Sequence, residues 1–504
     1  MRIVKTLASA AALLALAIPL AAQEAVPPVP AKVEVRTAAD DAEVYASRIA
    51  ALDDAGPMLN AVIAYDDTPR PGVEAINMAS LLAGRTVLLK DNIETREWPT
   101  TAGSLALAGN ATGRDAPLIA NLRRAGGFVA GKTNLSEWAN IRSNASTSGW
   151  SAVGGLTRNP HGIDRNACGS SSGSGAAVAA QFAWAAIGTE TNGSITCPAS
   201  INGVVGFKPS VGLVSRTHVV PISSTQDTAG PMARSVADAA LLLSAIAGED
   251  PADSATVGVP RRADYHTGLD EFALEGVRIG VMRNQVGNRD DLRAVFDTAL
   301  ADLEGAGAVL VDIEHDLDSA IYGASFTVLM YELREEMGKY LTSLPGADMP
   351  RDLADLIAFN RANAEAEMRW FGQDLFELAE TTTDREAYEE ARATALRIAG
   401  PETLDALMAE HEVRFLVAPT RGPAWASDLV NGDNFNGSVG FGTPAAVAGT
   451  PHLTVPMGAV ERLPVGISFF GPKWADFEVL QLGAAYEAVR SAQIPEPTYE
   501  LWTP

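Results

Sequence analysis

Apolar positions recur at helical spacing from Asp40 to Leu59, and Gly56-Pro57 interrupts the pattern. Thr86-Val87-Leu88-Leu89 is a short β-prone run that stops at Lys90-Asp91-Asn92. Helical spacing returns from Ala116 to Arg124, Gly126-Gly127 ends it, and Phe128-Val129-Ala130 reads as a buried strand. This alternation predicts α/β layers rather than an all-β fold. Between about Ser146 and Ser235 the residues Gly, Ser, Thr, Asn and Pro dominate, which predicts a long loop-rich stretch of the kind that carries function. Within it an Ala-rich helix is expected over 176–186. From Asp291 to Glu412 the pattern is charged and helical, clearest over 329–341 and 352–378. Strand character resumes at 413–417, 453–455 and 465–470. The helical block reads as an elaboration on an α/β core, and no internal repeat is visible.

At the amino terminus Arg2 and Lys5 precede an apolar run from Leu7 to Leu20, followed by Ala21-Ala22-Gln23 and a Pro-rich stretch. That order predicts a secretory signal over 1–22 and a Pro-rich leader over 23–39, with an uncleaved anchor as the alternative. The chain is then expected to be periplasmic or secreted. No membrane attachment is expected after cleavage, because no later segment approaches the ~20 apolar residues of a span. The 504 residues carry 62 acidic and 38 basic side chains, a formal charge of −24. Bulk charge therefore disfavours nucleic acid and anionic membrane surfaces as partners. A hydrophobic fraction of 47% with 20% charged residues describes a globular chain with a large core. Two cysteines cannot build a disulfide scaffold, and no Cys/His spacing suggests a metal site.

One motif is rejected. Gly126 to Thr133 satisfies the phosphate-loop expression, with Gly126, Gly131, Lys132 and Thr133 in place. The mechanism needs a strand before the first Gly, whereas here a helix precedes it and Phe128-Val129-Ala130 is itself the strand. Lys132 is read as a strand-end or loop lysine. Gly173-Ser174-Gly175-Ala176-Ala177-Val178 also fails as a dinucleotide fingerprint, for want of a preceding strand.

Two segments carry the candidate chemistry: Cys168 to Gly175 and Gly188 to Ser194, the latter followed by Ile195-Thr196-Cys197-Pro198. Serines set between glycines sit on tight turns where the hydroxyl projects and neighbouring N–H groups converge. A flexible linker would not run at once into an apolar helix. A serine nucleophile needs a base, and the six histidines, His161, His218, His266, His315, His411 and His452, lie in turn-like or charged contexts with no nucleophile elbow. Lysine is scarce, and Lys90 directly follows the run from Thr86 to Leu89, where a buried strand delivers its last side chain to the interior. Desolvation lowers such a lysine's pKa and makes its neutral amine a base.

The segments Gly84 to Ile93, Gly131 to Trp138, Gly169 to Gly175, Gly188 to Ser200 and Gly203 to Pro209, with Ala448 to Pro456 and Leu463 to Gly466, together resemble the amidase signature family over most of the chain from about residue 40. Within that family, Cys168 to Ser174, Gly188 to Pro198 and Ser224 to Ser235 are most similar to bacterial peptide amidases. The resemblance implies an α/β fold, a single large domain (40–504) with a mixed central β-sheet covered by helices on both faces. It implies a serine hydrolase that cleaves a carboxamide C–N bond through an acyl-enzyme, without a metal or organic cofactor. In the implied triad Ser194 is the nucleophile, Ser171 the bridging serine after a cis peptide bond, and Lys90 the base. The backbone N–H groups of Thr191, Asn192, Gly193 and Ser194 form the implied oxyanion hole, with Ser170 and Ser172 as supporting neighbours.

Three departures from the family pattern stand out: Asn192 replaces the first Gly of Gly-Gly-Ser, Ser170 replaces a Gly before the bridging serine, and Thr196 stands where many relatives carry Arg. Cys168 and Cys197 flank the serine loops; they are read as two small buried side chains, with a disulfide as the alternative. Asp91 and Glu190 are expected to hold loops. Trp138, Trp150, Trp370 and Phe371 are candidate channel residues, although single aromatics more often belong to a core. Partners reduce to a small-molecule or peptide amide and water, with C-terminally amidated peptides the first expectation. The alternatives are ester or anilide hydrolysis on the same site, an inactive binding protein, or a transamidation subunit. Residues 310–410 are expected to shape the substrate pocket.

Overall fold

Side chains alternate along Thr86–Lys90: Val87 and Leu89 join one buried apolar cluster, Leu88 another, and all five residues are buried. A strand between two apolar layers needs cover on both faces. The computed structural model, which describes residues 38–66, 79–435 and 439–504, supplies that cover. The expected signal segment (1–22) and nearly all of the leader (23–39) lie outside the described residues.

The strands are β1 (Val62–Tyr65), β2 (Thr86–Lys90), β3 (Phe128–Thr133), the short pairs β4 (Trp150–Ser151) with β5 (Gly155–Leu156) and β6 (Arg158–Asn159) with β7 (Gly162–Asn166), then β8 (Ala185–Glu190), β9 (Val205–Lys208), β10 (Thr228–Ala233), β11 (Arg278–Met282), β12 (Val309–Ile313), β13 (Phe415–Pro419), β14 (His452–Val460) and β15 (Leu463–Phe470). Eleven of them form one sheet in the order β1-β3-β2-β8-β10-β9-β14-β15-β13-β11-β12. Pairing is parallel between β2 and both β3 and β8, and between β11 and both β12 and β13; elsewhere in the sheet it is antiparallel.

Helices α1 (Ala38–Leu52), α2 (Pro117–Arg124), α3 (Ser172–Ala179), α4 (Thr196–Ile201), α5 (Val236–Ile246) and α6 (Asp290–Gly305) cover the sheet. On one face α2, α5, α6 and the helix Asp476–Val489 pack on Val87, Leu89, Ile187, Phe207, Leu453 and Val455. On the other, α1, α3 and α4 pack on Leu88, Ala186 and Met232. Leu88 is fully buried, so truncation to Ala would cost about 2–5 kcal/mol. The protein is thus a single large α/β domain with a mixed sheet covered on both faces, as the resemblance implied. Helices α7 (Ala320–Thr342), α8 (Leu353–Ala362), Asp374–Thr381 and Arg385–Ala399 form the helical block, and α7 and α8 share an apolar cluster with Trp138. Among the described residues no helix is long and apolar enough to cross a membrane.

The structure corrects several element expectations. The stretch from Ser146 to Ser235 is loop-rich as expected, but it also carries the short elements β4 to β10 together with α3 and α4. The Ala-rich run 176–186 divides, since α3 ends at Ala179 and β8 begins at Ala185. Small residues serve here because the elements approach closely: a Cβ on Gly188 of β8 would lie 2.8 Å from Ser171 Oγ. The helical pattern over 352–378 is broken between Ala362 and Asp374, and β12, an edge strand with exposed Val309 and Asp312, interrupts the supposedly all-helical block. The phosphate-loop expression falls on the turn after α2 and on β3, so the amides between its glycines belong to a strand. Lys132 sits inside β3, fully buried, with Nζ 2.9 Å from Asp91 Oδ1.

Candidate active site

Lys90 is the last residue of β2 and shares the face of Leu88, on which α3 packs. It is fully buried. Its Nζ lies 2.7 Å from Ser170 Oγ, 2.8 Å from Thr189 Oγ1 and 3.1 Å from the Thr189 carbonyl. Burial lowers its pKa from 10.5 to about 7, against the opposing pull of the Asp227 and Glu190 carboxylates. Charged, the amine donates three bonds to these three oxygens. Neutral, it keeps two and accepts from the Ser170 hydroxyl. The same neighbours satisfy both states, so a proton can arrive or leave with no rearrangement. Asn92 Nδ2 donates to Thr189 Oγ1 at 2.9 Å and fixes that hydroxyl from the other side.

The serine on Lys90 is therefore Ser170, not Ser171, and the cis peptide bond likewise precedes Ser170. The reason lies in where α3 begins. Ser171 immediately precedes the helix, and its Oγ donates to the Thr189 carbonyl at 3.0 Å and accepts the Thr189 N–H at 3.2 Å, which ties it to the β8 backbone. Ser172 Oγ donates to the Cys168 carbonyl and lies 3.4 Å from Ser136 Oγ. Gly169 then stands before the serine on Lys90, and the departure expected at Ser170 disappears.

Beyond β8 the chain turns through Thr191, Asn192, Gly193 and Ser194 into α4. Glu190, buried, closes this turn, with Oε2 accepting the N–H groups of Ile195 (2.8 Å) and Thr196 (3.0 Å). Thr196 Oγ1 donates to the same oxygen at 3.3 Å, a use for the side chain at that departure. Gly193 holds φ 83°, while Asn192 is not left-handed, so the turn needs its glycine only at 193. Among the described residues nothing accepts the N–H groups of Asn192, Gly193 or Ser194, which leaves a cluster of free donors beside the Ser194 hydroxyl. Asp227 braces the start of the turn by accepting Thr191 Oγ1 at 2.6 Å. The carbonyl of Ser194 accepts the Ser171 N–H at 3.1 Å, so the two serine loops touch.

Cys168 and Cys197 are joined in a disulfide, with Cα atoms 6.0 Å apart, rather than standing as two thiols. The bond links the loop before α3 to α4 across the two serine loops, a proximity that the 29-residue separation in sequence hides. Asp91 holds a loop as expected, accepting Thr101 N–H at 3.1 Å. Trp138, Trp150 and Phe371 are buried, Trp150 and Phe371 edge to face, while Trp370 is half-buried. Asn92 and Thr189 join the site although no sequence signal singled them out. Among the described residues no three His, Cys, Asp or Glu side chains gather as a metal site.

Residues 45–480 match the Amidase family. The chain belongs to that family. It is an amidase, an enzyme that hydrolyses amide C–N bonds. A probable amidase of Arabidopsis thaliana is 36% identical over 419 residues, 81% of this chain and 77% of the relative. The solved peptide amidase from Stenotrophomonas maltophilia is 46% identical with a TM-score of 0.86, covering 92% of this chain and 96% of that one. A complex of the peptide amidase PAM with the competitive inhibitor chymostatin gives 47% identity, a TM-score of 0.87 and the same coverage. A glutamyl-tRNA(Gln) amidotransferase subunit of Symbiobacterium thermophilum is 33% identical, covering 81% of this chain and 83% of the relative.

Proposed function

We propose that this amidase cleaves a carboxamide by a serine relay running from Ser194 through Ser170 to Lys90. Ser194 Oγ attacks the substrate carbonyl and gives its proton to Ser170 Oγ as Ser170 passes its own to neutral Lys90. The amides of Thr191, Asn192, Gly193 and Ser194 hold the developing oxyanion, each donor contributing on the order of 10²–10³ in rate. Reversal of the relay protonates the departing nitrogen as the C–N bond breaks. Water, deprotonated by the same relay, then hydrolyses the acyl-enzyme.

The observation that carries this reading is the fully buried Lys90 amine at 2.7 Å from a serine hydroxyl, with no carboxylate within ion-pair distance among the described residues. The substrate class we propose is a C-terminally amidated peptide or a small amide, supported by the likeness to peptide amidases. A cavity of about 510 Å³ lined by Asn92, Thr189 and Thr191 on one side and by Glu336, Tyr340 and Ser343 on the other supports a part for the helical block in shaping the pocket. The apolar run 7–20 supports export.

The test is ammonia release from amidated peptides, matched against ester and anilide substrates. Wild-type enzyme is expected to release ammonia, and Ser194→Ala and Lys90→Ala are each expected to abolish it. Wild-type turnover by either variant would overturn the assignment, and faster cleavage of esters or anilides would move the substrate class.

A further inference from the structure

Helix α7 presents two buried polar side chains seven residues apart, Ser325 and Glu332, on one face. Both meet the loop 223–227. Glu332 is 2% exposed and has no basic partner within ion-pair distance among the described residues. Its Oε2 instead accepts the Ser223 hydroxyl, the Thr225 N–H at 3.2 Å and the Thr225 hydroxyl at 3.0 Å, and its Oε1 accepts Tyr388 Oη–H at 2.7 Å. Ser325 Oγ donates to Gln226 Oε1 at 3.1 Å.

The far side of this loop grips the turn that carries Ser194. Gln226 Nε2 donates to the Thr191 carbonyl at 3.4 Å. Asp227 accepts the Thr191 hydroxyl on one carboxylate oxygen and the N–H groups of Ile222 (2.7 Å) and Ser223 (2.8 Å) on the other. One Thr191 contact therefore ends on Gln226, which Ser325 of α7 holds, and the other on Asp227, which is tied to α7 through Ser223, the residue whose hydroxyl Glu332 accepts. A buried carboxylate satisfied only by hydroxyl and amide donors is costly to keep unless those donors are fixed, and fixing them is what it accomplishes here.

We propose that Glu332 is a positioning residue for the oxyanion turn: from α7 it locks the loop 223–227, which sets the direction of the Thr191–Ser194 amides. The inference rests on the relay read above. Glutamine in its place retains one acceptor oxygen but turns an NH₂ toward the Ser223 and Thr225 donors, or toward Tyr388, so the loop loosens while the core volume is preserved.

The experiment compares wild type, Glu332→Gln, Ser223→Ala and, as a control, Glu335→Gln, whose side chain is 41% exposed on the same helix. Steady-state kinetics on an amidated peptide are measured together with the thermal midpoint and the rate of Ser194 labelling by a fluorophosphonate, located by peptide mass spectrometry. Glu332→Gln and Ser223→Ala are expected to lower kcat about 10- to 100-fold with KM within about threefold, and to slow labelling in parallel. Glu335→Gln is expected to match wild type. The inference is overturned if Glu332→Gln, or Ser223→Ala should the first fail to fold, keeps kcat within threefold, or loses activity through KM alone. If wild-type enzyme does not label at Ser194, it is the relay that fails.

Discussion

In the proposed relay Lys90 must be neutral to accept a proton, so its burial is expected to set the acid limb of the activity profile. With a pKa of about 7, the neutral share falls about tenfold per pH unit below that value, to about one part in ten at pH 6 and one in a hundred at pH 5. The kcat/KM of an amide substrate should follow it with unit slope and level off above about pH 8. The shift from 10.5 to about 7 corresponds to roughly 5 kcal/mol held against the charged amine. Its sign in stability is defined: the unfolded chain binds more protons between the two values, so this contribution to stability rises with pH from about 7 to about 10.5. Asp227 opposes the lowering, so Asp227→Asn should carry the acid limb to lower pH by about one unit. The same variant releases the Thr191 hydroxyl and should lower the plateau, but plateau height and limb position are separate readouts. The assay is kcat/KM from pH 5 to 9 for both proteins. A flat profile in wild type, or an acid limb that moves upward in Asp227→Asn, would refute the reasoning.

Two further outcomes follow from the turn and the disulfide. Gly193 has open space where a side chain would stand but holds φ 83°. Gly193→Ala should therefore cost about 1–2 kcal/mol through backbone conformation alone, with kcat falling more than KM rises; unchanged kcat would show that the turn does not need that conformation. Replacing Cys168 and Cys197 with Ser opens a loop closed over 29 residues and should lower unfolding stability by about 3–4 kcal/mol in denaturant titration. Two thiols alkylated in the untreated, unfolded wild-type protein would contradict the bond itself.

How much of this was legible beforehand depended on what each signal measures. Four β-prone residues ending in a charged one suffice to bury Lys90, because period-2 alternation and the apolar run are local properties. Ser170, Ser171 and Ser172 are locally indistinguishable. Which hydroxyl meets the lysine is decided by where α3 starts and by the grip of Thr189 on Ser171, both tertiary facts. Strand β8 was hidden because Ala185 and Ala186 favour helices and Gly188 favours neither element, yet only small residues fit beside Ser171. The edge strand β12 was lost in its charged surroundings. Glu332 left no trace, since one acid on a charged helix reads as a solvated face until its burial is known.

Whether Ser170 is the hydroxyl that connects the nucleophile to Lys90 is decided by the kinetics of Ser170→Ala beside Ser171→Ala. Ser170→Ala is expected to lose about 10²–10⁴ in kcat, while Ser171→Ala, which loses only bonds to the Thr189 backbone, should stay within about tenfold of wild type. A collapse in Ser171→Ala with near-normal turnover in Ser170→Ala would contradict the proposed relay.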